Sequence, residues 1–236
     1  MKVTRIKEKE SVLNIYADCK LKVEGTKLLK RYRSQVERYI NRYPQWGESF
    51  LPIEAKRNAP SIVKEMSEVA SLCGVGPTAA VAGAIAEFIG KKLLKFSPEI
   101  VVENGGDIFL QSNRERFISV FAGPSKLSEK IALKLLSSVK PYGIATSSAT
   151  VGHSYSKGRT DATVVISNSA VLSDAAATAL GNMVKEKRDI KKALNFARGI
   201  PGLKGAVIIF EDILGIWNCE IAPEFCKRTI LLLKRS

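Results

Sequence analysis

The stretch EIVVENGGDIFLQ, residues 99–111, restricts the possible folds more than any other part of the chain. Two apolar runs flank Asn104-Gly105-Gly106-Asp107, and the paired glycines supply the positive φ angles that a tight hairpin turn requires. The segment therefore reads as a β-hairpin, with RERFISVFAG as a third strand behind it. A second hairpin is expected around Glu8–Ser11, where apolar and polar residues alternate, and a third in GAVIIFEDILGIWNCEIA. DATVVIS, residues 161–167, is a further strand.

Helices separate these strands. In TKLLKRYRSQVERYINRYP the apolar residues Leu28, Leu29, Tyr32, Val36, Tyr39, Ile40 and Tyr43 form a stripe, with Lys27, Arg31, Arg38 and Arg42 mostly off it. Ala59-Pro60-Ser61 opens a helix that runs to about Leu72. The next helix has Pro77 in its first turn, where a missing N–H costs nothing. SDAAATALGNMV and DIKKALNFAR are also helical, whereas residues 126–140 fit helix or strand. Two helices, at 79–86 and 175–181, carry almost only small side chains, a texture that suits close packing against each other, a ligand or a second copy in a homodimer. Strands and helices without regular alternation of the two point to an α+β fold, with antiparallel or mixed sheets and packed helices.

At 236 residues the expectation is one domain over 1–236. It would comprise an N-terminal hairpin and basic helix at 1–45, a core at 50–222 and a basic tail at 223–236. The start, MKVTRIKEKESVL, has no apolar stretch of signal-peptide length, and PTAAVAGAIAEFIG is too short and too interrupted by Glu87 to span a membrane. A cytoplasmic protein with no membrane partner is expected. Cys19, Cys73, Cys219 and Cys226 form no C-x-x-C pair, and free thiols are favoured over a Cys219–Cys226 disulfide. The net charge of +14 favours a phosphate-bearing partner. That partner is either a phosphorylated small molecule or, as the alternative, RNA or another nucleic acid on the 27–42 helix, although packing of its tyrosines explains that helix more simply.

Three groups of residues carry candidate chemistry. If Ser173 caps its helix, Asp174 and Thr178 lie one turn apart on one face and offer two hard oxygens of the kind Mg²⁺ accepts. Spacing alone is explained more simply by a carboxylate complementing the helix dipole. GIATSSATVGHSYSKGRTD, residues 143–161, gathers hydroxyls around the single histidine, His153, whose near-neutral pKa suits proton transfer. Its Thr146-Ser147-Ser148 run reads as a turn able to bind phosphate through hydroxyls and amides. Asp107 begins the returning strand of the glycine hairpin.

In order, GGDI at 105–108, ATSSATVGHS at 145–154, the DATVVIS strand and SDAAATALGN at 173–182 resemble the ApbE-like superfamily, in particular its uncharacterised cytoplasmic branch. Characterised members of that superfamily transfer FMN from FAD to a threonine of a target protein, using Mg²⁺. The resemblance covers roughly residues 60–220 and implies metal ligation by Asp174 and Thr178. It also implies a nucleotide cleft for FAD or FMN lined by Asn104, Gly105, Gly106, Asp107, Thr146, Ser147 and Ser148, with His153 or Asp107 handling a proton. The chain departs from the transferases where AGAIAE stands for their K-G-Y-A-V-D stretch: Ala82 replaces the lysine and Glu87 stands for the aspartate. SSAT at 147–150 is similar to the acceptor sequence such enzymes modify, which would make Thr150 an attachment point, but the upstream acidic residue is missing.

Overall fold

The structure, a computed structural model, describes residues 1–151, 157–222 and 230–231. Its centre is an antiparallel sheet of eight strands among the described residues, in the order β1-β2-β3-β4-β7-β8-β9-β10. β1 (Lys2–Glu8) and β2 (Ser11–Ala17) form the expected N-terminal hairpin, and β3 (Ile100–Asn104) and β4 (Asp107–Gln111) the glycine hairpin. β7 (Tyr142–Ser147), β8 (Ala162–Ser167), β9 (Leu203–Phe210) and β10 (Ile213–Trp217) complete the sheet. The ambiguous 126–140 segment contributes β6 (Ala132–Leu135), a short strand paired with β5 (Arg116–Ser119). These two form a smaller sheet with β11 (Glu220–Ala222) and β12 (Ile230–Leu231), the last running parallel to β5.

The central strands β3, β4, β8 and β9 are largely apolar because both of their faces are buried, whereas β1 at the edge alternates exposed and buried residues. Leu13, Ile15, Val102, Phe109, Val165 and Ile208 face the helices, whereas Val101, Ile108, Leu110, Ile144, Val164 and Val207 face the small sheet. Ile118, Val120, Leu133 and Leu135 meet the second set. Each such side chain stabilises the fold by about 1.5–3 kcal/mol when fully withdrawn from water.

The helical layer consists of α1 (Lys22–Arg42), α2 (Pro44–Glu48), α3 (Ser61–Cys73), α4 (Val81–Leu93), α5 (Ala170–Met183) and α6 (Asp189–Gly199). α1 buries Leu29, Tyr32, Val36 and Tyr39, the stripe read from its sequence. Pro77 opens a 3₁₀ turn, Pro77–Ala80, that leads into α4. The two small-residue helices pack on each other, the first of the uses read from their texture. A side chain at Gly83 would bring its Cβ to 2.2 Å from the Ala170 carbonyl oxygen, and glycine alone permits that approach. Among the described residues no single helix is long and apolar enough to cross a membrane. Cys19, Cys73 and Cys219 are free thiols, while Cys226 lies outside the described residues.

Two local expectations are corrected. Ser173 does not cap its helix: α5 starts a turn earlier, with Ser169 Oγ accepting from the Leu172 N–H at 3.2 Å. Ser173 is buried inside the helix, donating to the Gly143 carbonyl at 2.9 Å and bonded to Ser167 Oγ at 2.9 Å. Thr146-Ser147-Ser148 is not a turn either. Thr146 and Ser147 end β7, paired with Val164 and Thr163, because the β8 ladder claims their backbone groups.

Candidate functional site

The glycine hairpin sets the geometry. Gly105 and Gly106 have φ of 65° and 108°, values that glycine adopts without strain. The tight turn puts Asn104 opposite Asp107, so both side chains leave the sheet on the helical side. Asn104 Nδ2 donates to the Ala82 carbonyl at 3.0 Å, and Asp107 Oδ1 accepts from the Thr146 N–H at 3.3 Å. On the opposite side of the sheet, Glu103 accepts from the Gly106 N–H at 3.1 Å and from Asn14 Nδ2 at 2.7 Å.

Strand alternation then divides the hydroxyl cluster. Thr146 and Ser148 line a cavity of about 40 Å³ with Glu103, Gly105, Ser119 and Phe121, on the small-sheet side. Ser147 points the other way, toward Gly181 of α5, where a built Cβ would sit 3.4 Å from Ser147 Oγ. The anticipated single cleft is therefore two clusters, one on each face of the main sheet. Beyond β7, Ser148 Oγ accepts from the N–H groups of Thr150 and Val151 at 3.2 and 3.0 Å. Thr150 Oγ1 donates to Asp161 Oδ1 at 3.3 Å, and Asp161 Oδ2 accepts from the Glu211 N–H at 2.6 Å, which ties the loop to the end of β9. His153 lies outside the described residues.

The helical-side cluster is built around the start of α4. Asp174 Oδ2 accepts from the Gly83 N–H at 2.8 Å. Ala82 C=O and Gly83 N–H belong to one planar trans peptide, so Asn104 and Asp174 are attached to opposite edges of the same plate. Asp174 thus caps a helix that has no side-chain cap of its own, a structural role that spacing along α5 does not reveal. Burial raises its pKa from 3.8 to about 7, against the lowering effect of the Gly83 and Ala82 amides. Thr178 follows one turn later on the same face, and both residues remain partly exposed.

Sequence reading left open whether Glu87 takes over the role of the transferases' aspartate. It is 1% exposed, with Oε2 accepting from Ser169 Oγ at 2.8 Å and from the Val171 N–H at 3.2 Å. Its other oxygen meets Lys91 Nζ at 2.6 Å. These contacts fasten α4 to the start of α5. The available signal is its spacing from Gly83, one helical turn along the same face.

The donors suit a hard cation: a carboxylate and a hydroxyl one turn apart, both half-buried. Among the described residues no group of three or more His, Cys, Asp or Glu side chains could enclose a metal ion. A cation on Asp174 and Thr178 would therefore take the rest of its shell from water, backbone oxygens or an anionic ligand, the usual habit of Mg²⁺.

A family model described as "AbpE bacteria" matches residues 2–212. The chain is 36% identical over 211 residues to a UPF0280 protein of Methanococcus aeolicus, covering 87% of this chain and 84% of the relative. A UPF0280 protein of Methanocaldococcus jannaschii is 38% identical over 198 residues, with 82% and 80% covered. Among solved structures, the flavin transferase ApbE from Vibrio cholerae superposes with a TM-score of 0.58 at 14% identity, over 92% of this chain and 96% of that one. The flavinyl transferase ApbE from Pseudomonas stutzeri gives 0.59 at 14%, over 92% and 94%. At these identities the likeness establishes a shared fold.

Proposed function

Because the chain belongs to the AbpE bacteria family, we propose that its helical-side cluster binds Mg²⁺ together with the phosphate groups of a flavin nucleotide, FAD or FMN. One observation carries this reading: the glycine hairpin, the start of α4 and the second turn of α5 converge on the Ala82–Gly83 peptide. The flavin part of the reading is supported by the shared fold with proteins described as flavin transferases.

In this reading Asp174 and Thr178 hold the cation, and Asn104, Asp107 and Ser147 line the same side of the sheet. Bound Mg²⁺ supplies charge neutralisation at a pyrophosphate, which favours phosphoryl- or nucleotidyl-type transfer. Asp107, held by the Thr146 N–H, is the described carboxylate that takes a proton from an attacking hydroxyl. Gly105, Gly106, Thr146 and Ser148 sit at the turn and on the opposite face, and we assign them to shaping the hairpin and the loop entrance. Residue 82 carries only a methyl side chain where the resembling transferases carry a lysine, so we place binding ahead of transfer. The protein is expected to act in the cytoplasm.

Equilibrium dialysis of FAD against the purified protein, with and without Mg²⁺, tests the reading. Binding should require the metal, and both Asp174→Ala and Thr178→Val should weaken it by about tenfold or more. Metal-independent FAD binding, or parent-like affinity in both variants, would remove Asp174 and Thr178 from the site.

A further inference from the structure

α1 is charged unevenly along its length. Lys30 reaches Glu8 at 3.9 Å, and Arg33 meets both Glu10 and Glu37 at 2.8 Å, so these two cations of the helix have carboxylate partners. Beyond Glu37 come Arg38 and Arg42, one turn apart, and neither is paired with a carboxylate among the described residues. Arg38 Nε donates to the Ser34 carbonyl at 3.0 Å, which orients its guanidinium and leaves both terminal nitrogens for another acceptor. Arg42 lies against the Tyr43 ring, 5.6 Å from its centre.

Both arginines border a cavity of about 200 Å³ that has Gln35 on the same wall and Asn58 on the facing loop. The walls are well supported. The Tyr39 ring packs against Tyr43 and Trp46, with centroids 4.8 and 5.1 Å apart, and its hydroxyl accepts from the Lys56 N–H at 2.9 Å. Ala59 N–H closes the facing loop onto the Lys56 carbonyl at 2.8 Å. Among the described residues no acidic side chain lines the cavity: its charged groups are cations, and the Gln35 and Asn58 amides add neutral donors. The planar guanidinium fork matches the oxygens of a phosphate group, and two forks one turn apart suit a doubly charged one.

We propose that this cavity is an anion site, sharing no lining residue with the Asp174 cluster, which binds the phosphate end of a small phosphorylated molecule through Arg38 and Arg42. A recessed pocket between a helix and a loop fits a soluble phosphate better than a flat membrane surface does.

The test uses the full chain in EDTA, so that no divalent cation can support binding at Asp174. Inorganic pyrophosphate is titrated calorimetrically. A single site is expected whose affinity falls with added salt. Arg38→Gln and Arg42→Gln should each weaken it by about tenfold or more, while Asp174→Asn leaves it unchanged. Both arginines are exposed, so circular dichroism of these variants should match the parent. Absence of binding, parent-like affinity in either arginine variant, or loss in Asp174→Asn would each overturn the site. A second arm measures co-sedimentation with vesicles of phosphatidic acid in phosphatidylcholine. Arginine-dependent vesicle binding without pyrophosphate binding would replace the soluble ligand with a lipid and overturn the proposal as stated.

Discussion

Glu87 on α4 accepts from Ser169 Oγ and the Val171 N–H at the start of α5, while Asp174 on α5 accepts from the Gly83 N–H at the start of α4. Two carboxylates from neighbouring helices therefore cap one another's helix. The exchange satisfies amides that a helix start leaves without internal partners, and it locks the crossing of α4 and α5 in both directions. The partners differ in setting: Glu87 is fully buried beneath an exposed Lys91, whereas Asp174 stays partly open on the candidate site.

Glu87→Ala should destabilise the protein by about 2–4 kcal/mol in urea unfolding, since it leaves buried donors without an acceptor. Glu87→Gln retains an acceptor oxygen and should lose about half as much. Equal losses in the two variants would mean that the ion pair with Lys91, rather than the capping of α5, accounts for the residue.

Asp174 gives stability an unusual dependence on pH. The unfolded chain releases this proton near pH 3.8 and the folded chain near 7. Across that window the folded state binds more protons, so metal-free stability declines as pH rises, and above about 7 the penalty is constant. Asp174→Asn removes the titration. In EDTA the variant should gain on the parent between pH 4 and 7 and end about 1–3 kcal/mol more stable at pH 8. Thermal melts over that range check this, and a gap that is the same at pH 4 and pH 8 would refute it.

Gly83→Ala should cost about 2–3 kcal/mol despite the better helix propensity of alanine, because the new methyl would fall 2.2 Å from the Ala170 carbonyl and 2.8 Å from Asp174 Cβ. Separating the helices also spoils the Gly83–Asp174 bond, so Mg²⁺-dependent FAD binding should weaken along with stability. Urea unfolding and dialysis on the same sample measure both losses.

Much of this arrangement is legible in the chain itself. Paired glycines between apolar runs locate the β3–β4 hairpin, and the apolar stripe of α1 names residues that the helix does bury. The start of α5 is misread because Ser169 and Ser173 both suit a cap, and only contact with β7 and β8 draws Ser173 inside. Thr146-Ser147-Ser148 looks like a turn by its hydroxyls, yet pairing with β8, itself distant in sequence until the chain folds back, makes it strand and sends neighbouring hydroxyls to opposite faces. β6 cannot be distinguished locally because its partner strand supplies the deciding hydrogen bonds. The Glu87 bonds span more than eighty residues, so its spacing from Gly83 marks the residue without naming its partners.

The Ala82–Gly83 peptide has one further consequence. No rotatable bond lies between the carbonyl that holds Asn104 and the N–H that holds Asp174. A displacement at the hairpin is passed to α5 as a tilt of one rigid unit rather than being absorbed along the way. Occupancy on one edge of that unit should thus register as a change in affinity on the other.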